Sequence, residues 1–254
     1  MRPAAFGLVL MSLSCAAAIA QPAVDWTTVR GQVTLPANVA IPVPKPVGGA
    51  KGVVDETVVV NPKSRGIKNV VVWLRPNVAN LKAGFAPNEV HPGDANRKAG
   101  DVIAELEGDR VKPRIVAART GDTVVVKNTS TVAHRFFWVS TNNGDLDIEV
   151  APGGRLRFAQ PLASNSVPAQ FICTDRPWVR GFARVFDHPY YAVTDEDGRF
   201  EFKSAPMGNY RLVFWHENVG YLGGKDGRRG QLVRIAPGQM GTMQLDPTQF
   251  DVTR

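Results

Sequence analysis

The chain has 254 residues, 44% of them hydrophobic, which is enough for one or two domains with real cores. Lysine and arginine outnumber the acids by 30 to 23, a net charge of +7, but the basic residues are scattered and no zinc finger, basic helix or RNP-type pattern accompanies them. That distribution describes a solvated basic surface and sets nucleic acid aside as a partner.

Residues 1–20, MRPAAFGLVLMSLSCAAAIA, form a secretory leader. Arg2 supplies the basic start, Phe6 to Leu13 the apolar run, and Ala18-Ile19-Ala20 the small-residue site, with cleavage expected after Ala20. The apolar run falls short of the ~20 residues a bilayer span needs, and no later stretch supplies one. The expected product is periplasmic or secreted, with no stable membrane insertion. Losing the leader removes its one arginine, leaving +6, and also Cys15, so Cys173 is then the only cysteine and no internal disulfide can form.

Short β-branched runs bounded by Gly, Pro, Asn and Asp follow. They are Val29–Leu35, Thr57–Val60, Val70–Leu74, Arg114–Ala118, Thr123–Lys127, Arg135–Val139, Arg155–Phe158, Gln170–Cys173, Phe182–Phe186, Ala192–Thr194, Arg199–Lys203, Tyr210–Trp215, Gln231–Ile235 and Gly241–Leu245. Many short strands at regular spacing predict an all-β protein of sandwiches or barrels. Residues 36–50 are rich in Pro and Gly and read as an extended, largely unpaired segment, and residues 77–100 as a loop-rich linker. Asp197-Gly198 reads as a type I′ hairpin turn. In Arg199-Phe200-Glu201-Phe202-Lys203, alternation puts both phenylalanines on one face.

The run AVTDEDGRFEFKSAPMGNYRLVFWHE, residues 192–217, resembles the carboxypeptidase-regulatory, or transthyretin-like, sandwich: a strand ending in TD, a DG turn, an F-x-F strand, a P-x-G turn and a Y-x-L strand. The strands that normally open this module match Gly31-Gln32-Val33 and Val70–Leu74, about 120 residues earlier. The expected architecture is therefore a split sandwich, 26–76 with 189–247, holding an inserted domain at 101–187. Two separate sandwiches in tandem are the alternative.

The insert resembles a cupredoxin of Greek-key β-sandwich fold. The resemblance rests on RIVAARTGDTVVVKN (114–128), His134, the turn Pro152–Gly154, the strand into Cys173 and the closing strand Gly181–Phe186. The frame of an amicyanin-like copper loop, C-x-x-H-P-x-M-x-G, here reads Cys173-Thr174-Asp175-Arg176-Pro177-Trp178-Val179-Arg180-Gly181. By this resemblance His134 and Cys173 match copper ligands, while Arg176 and Val179 occupy the second-histidine and axial-methionine positions. Type-1 copper takes two imidazoles and a thiolate. A guanidinium has no lone pair to give and stays charged, so the ligand set is incomplete. Arg176 is expected either to pair with Asp175 or another carboxylate, favouring a Cys173 thiolate, or to swing outward and leave Cys173 as buried filler.

His91, His188 and His216 lie in loops or at a strand end and are expected to be solvated or hydrogen-bonded. Phe136, Phe137 and Trp138 are expected to pack the core on one face and the neighbouring domain on the other. Asp195, Glu196 and Asp197 fit an acidic turn, and no G-x-S-x-G, H-E-x-x-H or phosphate loop is present. The expectation is an exported, non-enzymatic binding protein without a resident cofactor, its partner a glycan or an envelope protein. The alternative is a copper-binding or electron-transfer protein using a remodelled site at His134 and Cys173.

Overall fold

A computed structural model describes residues 24–47, 52–238 and, for the backbone, 240–244. The expected leader, its cleavage site and the tail from Leu245 lie outside these residues. Among the described residues no helix is long and apolar enough to cross a membrane.

The chain is all-β. In order the strands are β1 (Trp26–Thr34), β2 (Val71–Pro76), β3 (Asp101–Glu107), β4 (Arg110–Lys112), β5 (Ile115–Arg119), β6 (Thr123–Asn128), β7 (His134–Val139), β8 (Leu146–Val150) and β9 (Arg155–Arg157). They continue with β10 (Ala169–Cys173), β11 (Arg180–Phe186), β12 (Tyr191–Val193), β13 (Arg199–Pro206), β14 (Gly208–His216), β15 (Gly220–Tyr221), β16 (Gln231–Ile235) and β17 (Met240–Gln244).

Strands from the two ends of the chain pair with each other. One sheet runs β13-β1-β17; a second runs β12-β2-β14-β15, with β16 also on β14. Val33, Ile67, Val72, Leu74, Phe200, Phe202 and Phe214 fill the space between these two sheets, so the alternation across Arg199–Lys203 does put both phenylalanines inward. The intervening residues form two further sheets, β5-β11-β10-β7-β8 and β4-β3-β6-β9. Leu106, Val124, Val126, Phe136, Trp138, Phe171 and Val185 pack between those.

A third apolar layer joins the two sandwiches. Val71, Trp73, Val213 and Trp215, on the outer face of β2 and β14, meet Ile115 and Phe186 on β5 and β11. Trp73 lies 5.6 Å from Phe186, and Arg184 stacks over Trp73 at 5.0 Å. Sheets packed face to face sit about 10 Å apart, so the molecule is a stack of four sheets with the β2–β14 sheet in its interior. Every residue of β2 is buried. This explains why Val70–Leu74 reads as a continuous apolar run, since a strand covered on both faces has no polar side to present.

Several expectations are corrected. Thr57–Val60 is not a strand: its backbone meets the chain at a single bridge, Val60 to Ile67, before Asn61–Gly66 turns it back. Asp197-Gly198 is not a type I′ hairpin. Only Gly198 has positive φ, at 73°, and the flanking strands β12 and β13 belong to different sheets. The Asp195 carboxylate holds the turn by accepting from the Asp197 and Arg199 N–H groups. Glycine is required twice at this corner, because a Cβ on Gly198 would lie 2.2 Å from the Val33 carbonyl and one on Gly66 1.9 Å from the Asp197 carbonyl. The outward face of β7 does not pack on the other sandwich, since Phe137 and Val139 are exposed.

Of the two expected alternatives, solvated or hydrogen-bonded, His188 and His216 take the second, and both are buried. His188 sits between Phe85 and Phe186, its Nδ1 accepting from the Tyr190 N–H. Burial, aided by Arg119 and Arg184, pushes its pKa down to about 3. Burial, with Arg114 nearby, pushes that of His216 down to about 4. Both values lie below that of an unfolded histidine, about 6.5. Their contribution to stability is thus complete above that value and is lost as pH falls towards the folded values, at up to about 1.4 kcal/mol per pH unit for each. Urea midpoints should fall between pH 6.5 and 4.5, and His188→Gln should roughly halve the slope; a flat wild-type profile would mean that these imidazoles are charged in the folded chain.

Candidate functional site

His134 opens β7 with its side chain on the core face, and Cys173 closes β10, the neighbouring strand. The two are 0% and 2% exposed. Cys173 Sγ lies 3.7 Å from His134 Nδ1, and Ser130 Oγ lies 3.0 Å from Nε2. The Ser130 hydroxyl has its own acceptors, Asn128 Oδ1 at 2.7 Å and the Val132 carbonyl at 3.0 Å. If its single hydrogen goes to one of them, Nε2 donates to Ser130 and the Nδ1 lone pair faces the thiol. Burial, with Arg176 second, holds His134 below the usual imidazole pKa and keeps it neutral.

Arg176 does not pair with Asp175. Its Nε lies 3.6 Å from Asp109 Oδ1, in the turn joining β3 to β4. Both side chains are partly exposed, and such a pair is worth little to stability. Val179 is 1% exposed within the core of the inserted sandwich. Its carbonyl accepts from the Cys173 N–H at 2.8 Å, while its own N–H bonds the Arg176 carbonyl, so backbone bonds set the loop. Among the described residues no cluster of three or more His, Cys, Asp or Glu could hold a metal. The residues present do not fit a type-1 copper centre: one imidazole and one thiol face each other, a cation stands near the third position, and a buried aliphatic group has no donor to offer.

Beside this loop lies a cavity of about 440 Å³ between the two sandwiches. One wall is the extended segment around Lys45–Val47 and Val53–Glu56; the other is Asp109–Val111, Arg114 and the loop residues Pro177, Trp178 and Arg180. At its base Arg114 makes a two-pronged, buried pair with Glu217, which follows β14. The Thr57 hydroxyl donates to Asp55 Oδ1 at 2.5 Å and accepts from Arg180 at 3.2 Å and Arg114 at 3.5 Å. Burial alone would raise the Asp55 pKa, but the Thr57 hydrogen bonds and the two guanidiniums outweigh it and hold the carboxyl below its usual value. Arg110 pairs with Glu56 across the cavity at 3.2 Å.

The structure thus brings His134 and Cys173 together, turns Arg176 to Asp109 and buries Val179. His91, His188 and His216 take no part. Sequence reasoning missed Asp55, Thr57, Asp109, Arg110, Arg114 and Arg180. For Asp109 a signal existed: Gly108-Asp109 between two alternating runs, with Gly108 at φ 56°, is a two-residue hairpin turn.

If Arg176 is what closes this site to copper, Arg176→His should open it. The variant should take up Cu(II) with a visible thiolate-to-copper band that disappears with Cys173→Ser, whereas the wild type stays colourless. A colourless Arg176→His protein would show that the loop does not present position 176 to the pair.

No family model and no curated protein matches the chain. Among solved structures it is similar to a Cu(I) form of an amicyanin variant, at 19% identity over 40% of this chain and 90% of that one, with a TM-score of 0.29. A reduced amicyanin variant matches at 17% identity over 45% and 98%, with a TM-score of 0.30. The copper-containing nitrite reductase of Thermus scotoductus SA-01 matches at 18% identity over 34% of this chain and 22% of that one, with a TM-score of 0.31.

Proposed function

We propose that this chain is an exported, non-enzymatic binding protein that holds a polar small ligand of the carbohydrate kind in the cavity between its two sandwiches. The observation that carries the reading is the lining of that cavity. Guanidiniums and carboxylates alternate around a concave space, with Trp178 and Pro177 beside them. Sugar hydroxyls both donate and accept, and a wall offering both matches them. The volume lies within the range of small-molecule sites, about 300–1,000 Å³, and such sites favour the junctions between domains. A cavity rather than a flat patch favours a glycan over an envelope protein. Titrating neutral and acidic oligosaccharides against the tag-free protein should raise its melting temperature, with about 2.7 kcal/mol of stabilisation at a hundredfold excess over Kd. Asp55→Asn should weaken the effect. No shift with any oligosaccharide would end this reading.

A second reading rests on the facing of His134 Nδ1 and Cys173 Sγ at 3.7 Å. A neutral imidazole and a thiolate suffice for soft Cu(I) as a two-coordinate ion. Titrating the reduced protein with Cu(I) would then give one equivalent of uptake, lost in Cys173→Ser. Uptake that survives this substitution would sink the second reading.

A further inference from the structure

Two guanidiniums meet at one hydroxyl in the cavity wall, and among the described residues only one of them contacts a carboxylate directly. Arg114 is held by Glu217 and Arg110 by Glu56, while Asp109 is engaged by Arg176. Arg180, half-buried at the start of β11, has no ion-pair partner among the described residues. The one side-chain hydrogen bond it makes among the described residues goes to the Thr57 hydroxyl at 3.2 Å. That hydroxyl gives its hydrogen to Asp55, so Thr57 links the guanidinium to a carboxylate that acts on it at a distance without contacting it. Lys45, on the opposite wall, also has no ion-pair partner among the described residues.

We infer that the cavity selects a sugar bearing a carboxylate, a uronate, with Arg180 as the fork that grips the carboxylate and Lys45 as the second cation. This rests on the proposed sugar-binding reading. A guanidinium presents planar N–H pairs that match the two oxygens of a carboxylate. Asp55, Glu56 and Asp109 line the same cavity. Their charge opposes a compact dianion such as phosphate, while their oxygens accept from the hydroxyls around a sugar ring. A monoanion with many hydroxyls satisfies both sets of groups. The extended segment carrying Lys45 and Asp55 belongs to one sandwich and Arg180 to the other, so such a ligand would bridge them.

The test is calorimetric titration of the full exported chain, at 0.15 M salt, with a galacturonate oligomer, a neutral galactose oligomer of equal length, and inorganic phosphate. The galacturonate oligomer should bind at least tenfold more tightly than the galactose oligomer. Arg180→Gln should cut galacturonate affinity tenfold or more and bring the ratio close to one, with Arg180→Lys recovering part of the preference. Equal affinity of the two oligomers for the wild type would overturn the uronate inference and leave sugar binding intact. Phosphate displacing galacturonate at matching concentration would overturn it too, because the site would then be a general anion site. Binding of neither oligomer would remove the proposed function together with this inference.

Discussion

The pairing of β2 with β14 is the constraint on which the rest of this structure depends. Both strands are covered on both faces, by the β1 sheet on one side and by β5 and β11 on the other. Apolar burial is worth about 25 cal/mol per Å², and a two-sided sheet collects it twice. The middle layer therefore ties the N-terminal and C-terminal portions of the chain together and at the same time fixes the residues between them. It also sets the cavity. Glu217 lies one residue past β14 and Arg114 one residue before β5, so docking of the two faces brings these opposite charges together. A buried pair of this kind adds little net stability, since desolvation offsets the attraction, but removing either partner alone is costly. Its effect is to fix how one sandwich sits on the other, and with that the distance of Lys45–Val47 and Val53–Glu56 from the loop at Pro177–Arg180.

The loop at Cys173–Gly181 follows the same electrostatic logic. At an effective dielectric near 20, two unit charges about 4 Å apart repel by about 4 kcal/mol, so a guanidinium and a copper ion compete for one place. Arg176 instead finds a carboxylate, and that carboxylate, Asp109, lines the cavity. Arg176 thus reaches a carboxylate in the wall of the neighbouring cavity. His134 and Cys173 face each other nearby, both buried, and burial holds the imidazole pKa low.

Much of the fold was legible from the sequence because patterning and burial agree. The Phe200 and Phe202 alternation and the unbroken apolar run at Val70–Leu74 both mark strands that are found. Four strands escaped: β3, β4, β8 and the two-residue β15. In β3 the charges of Asp101, Glu105 and Glu107 dilute a core face made of Ala104 and Leu106. In β8 the alternation Leu146-Asp147-Ile148-Glu149-Val150 is plain, but its acids and its edge position gave it the look of a loop. In β4 three residues are too few to show a period. The Asp197-Gly198 turn misled because a DG pair records the need for one left-handed glycine, not which sheets the flanking strands join. The cavity could not be read at all: its groups come from segments far apart in the chain, from Lys45 to Arg180, and meet only through the middle layer. His188 and His216 are hydrogen-bonded, as expected, but their burial could not be read, since loop position says nothing about what folds over the loop.

The central claim is that the working surface of this protein is the junction between its two sandwiches, not the open sheet face at Phe137 and Val139. Amide hydrogen exchange with and without a saturating galacturonate oligomer tests it most directly. The account predicts added protection at residues 53–57, 109–111 and 177–181, with β7 and β8 unchanged. Protection confined to β7, β8 and β10 would contradict it.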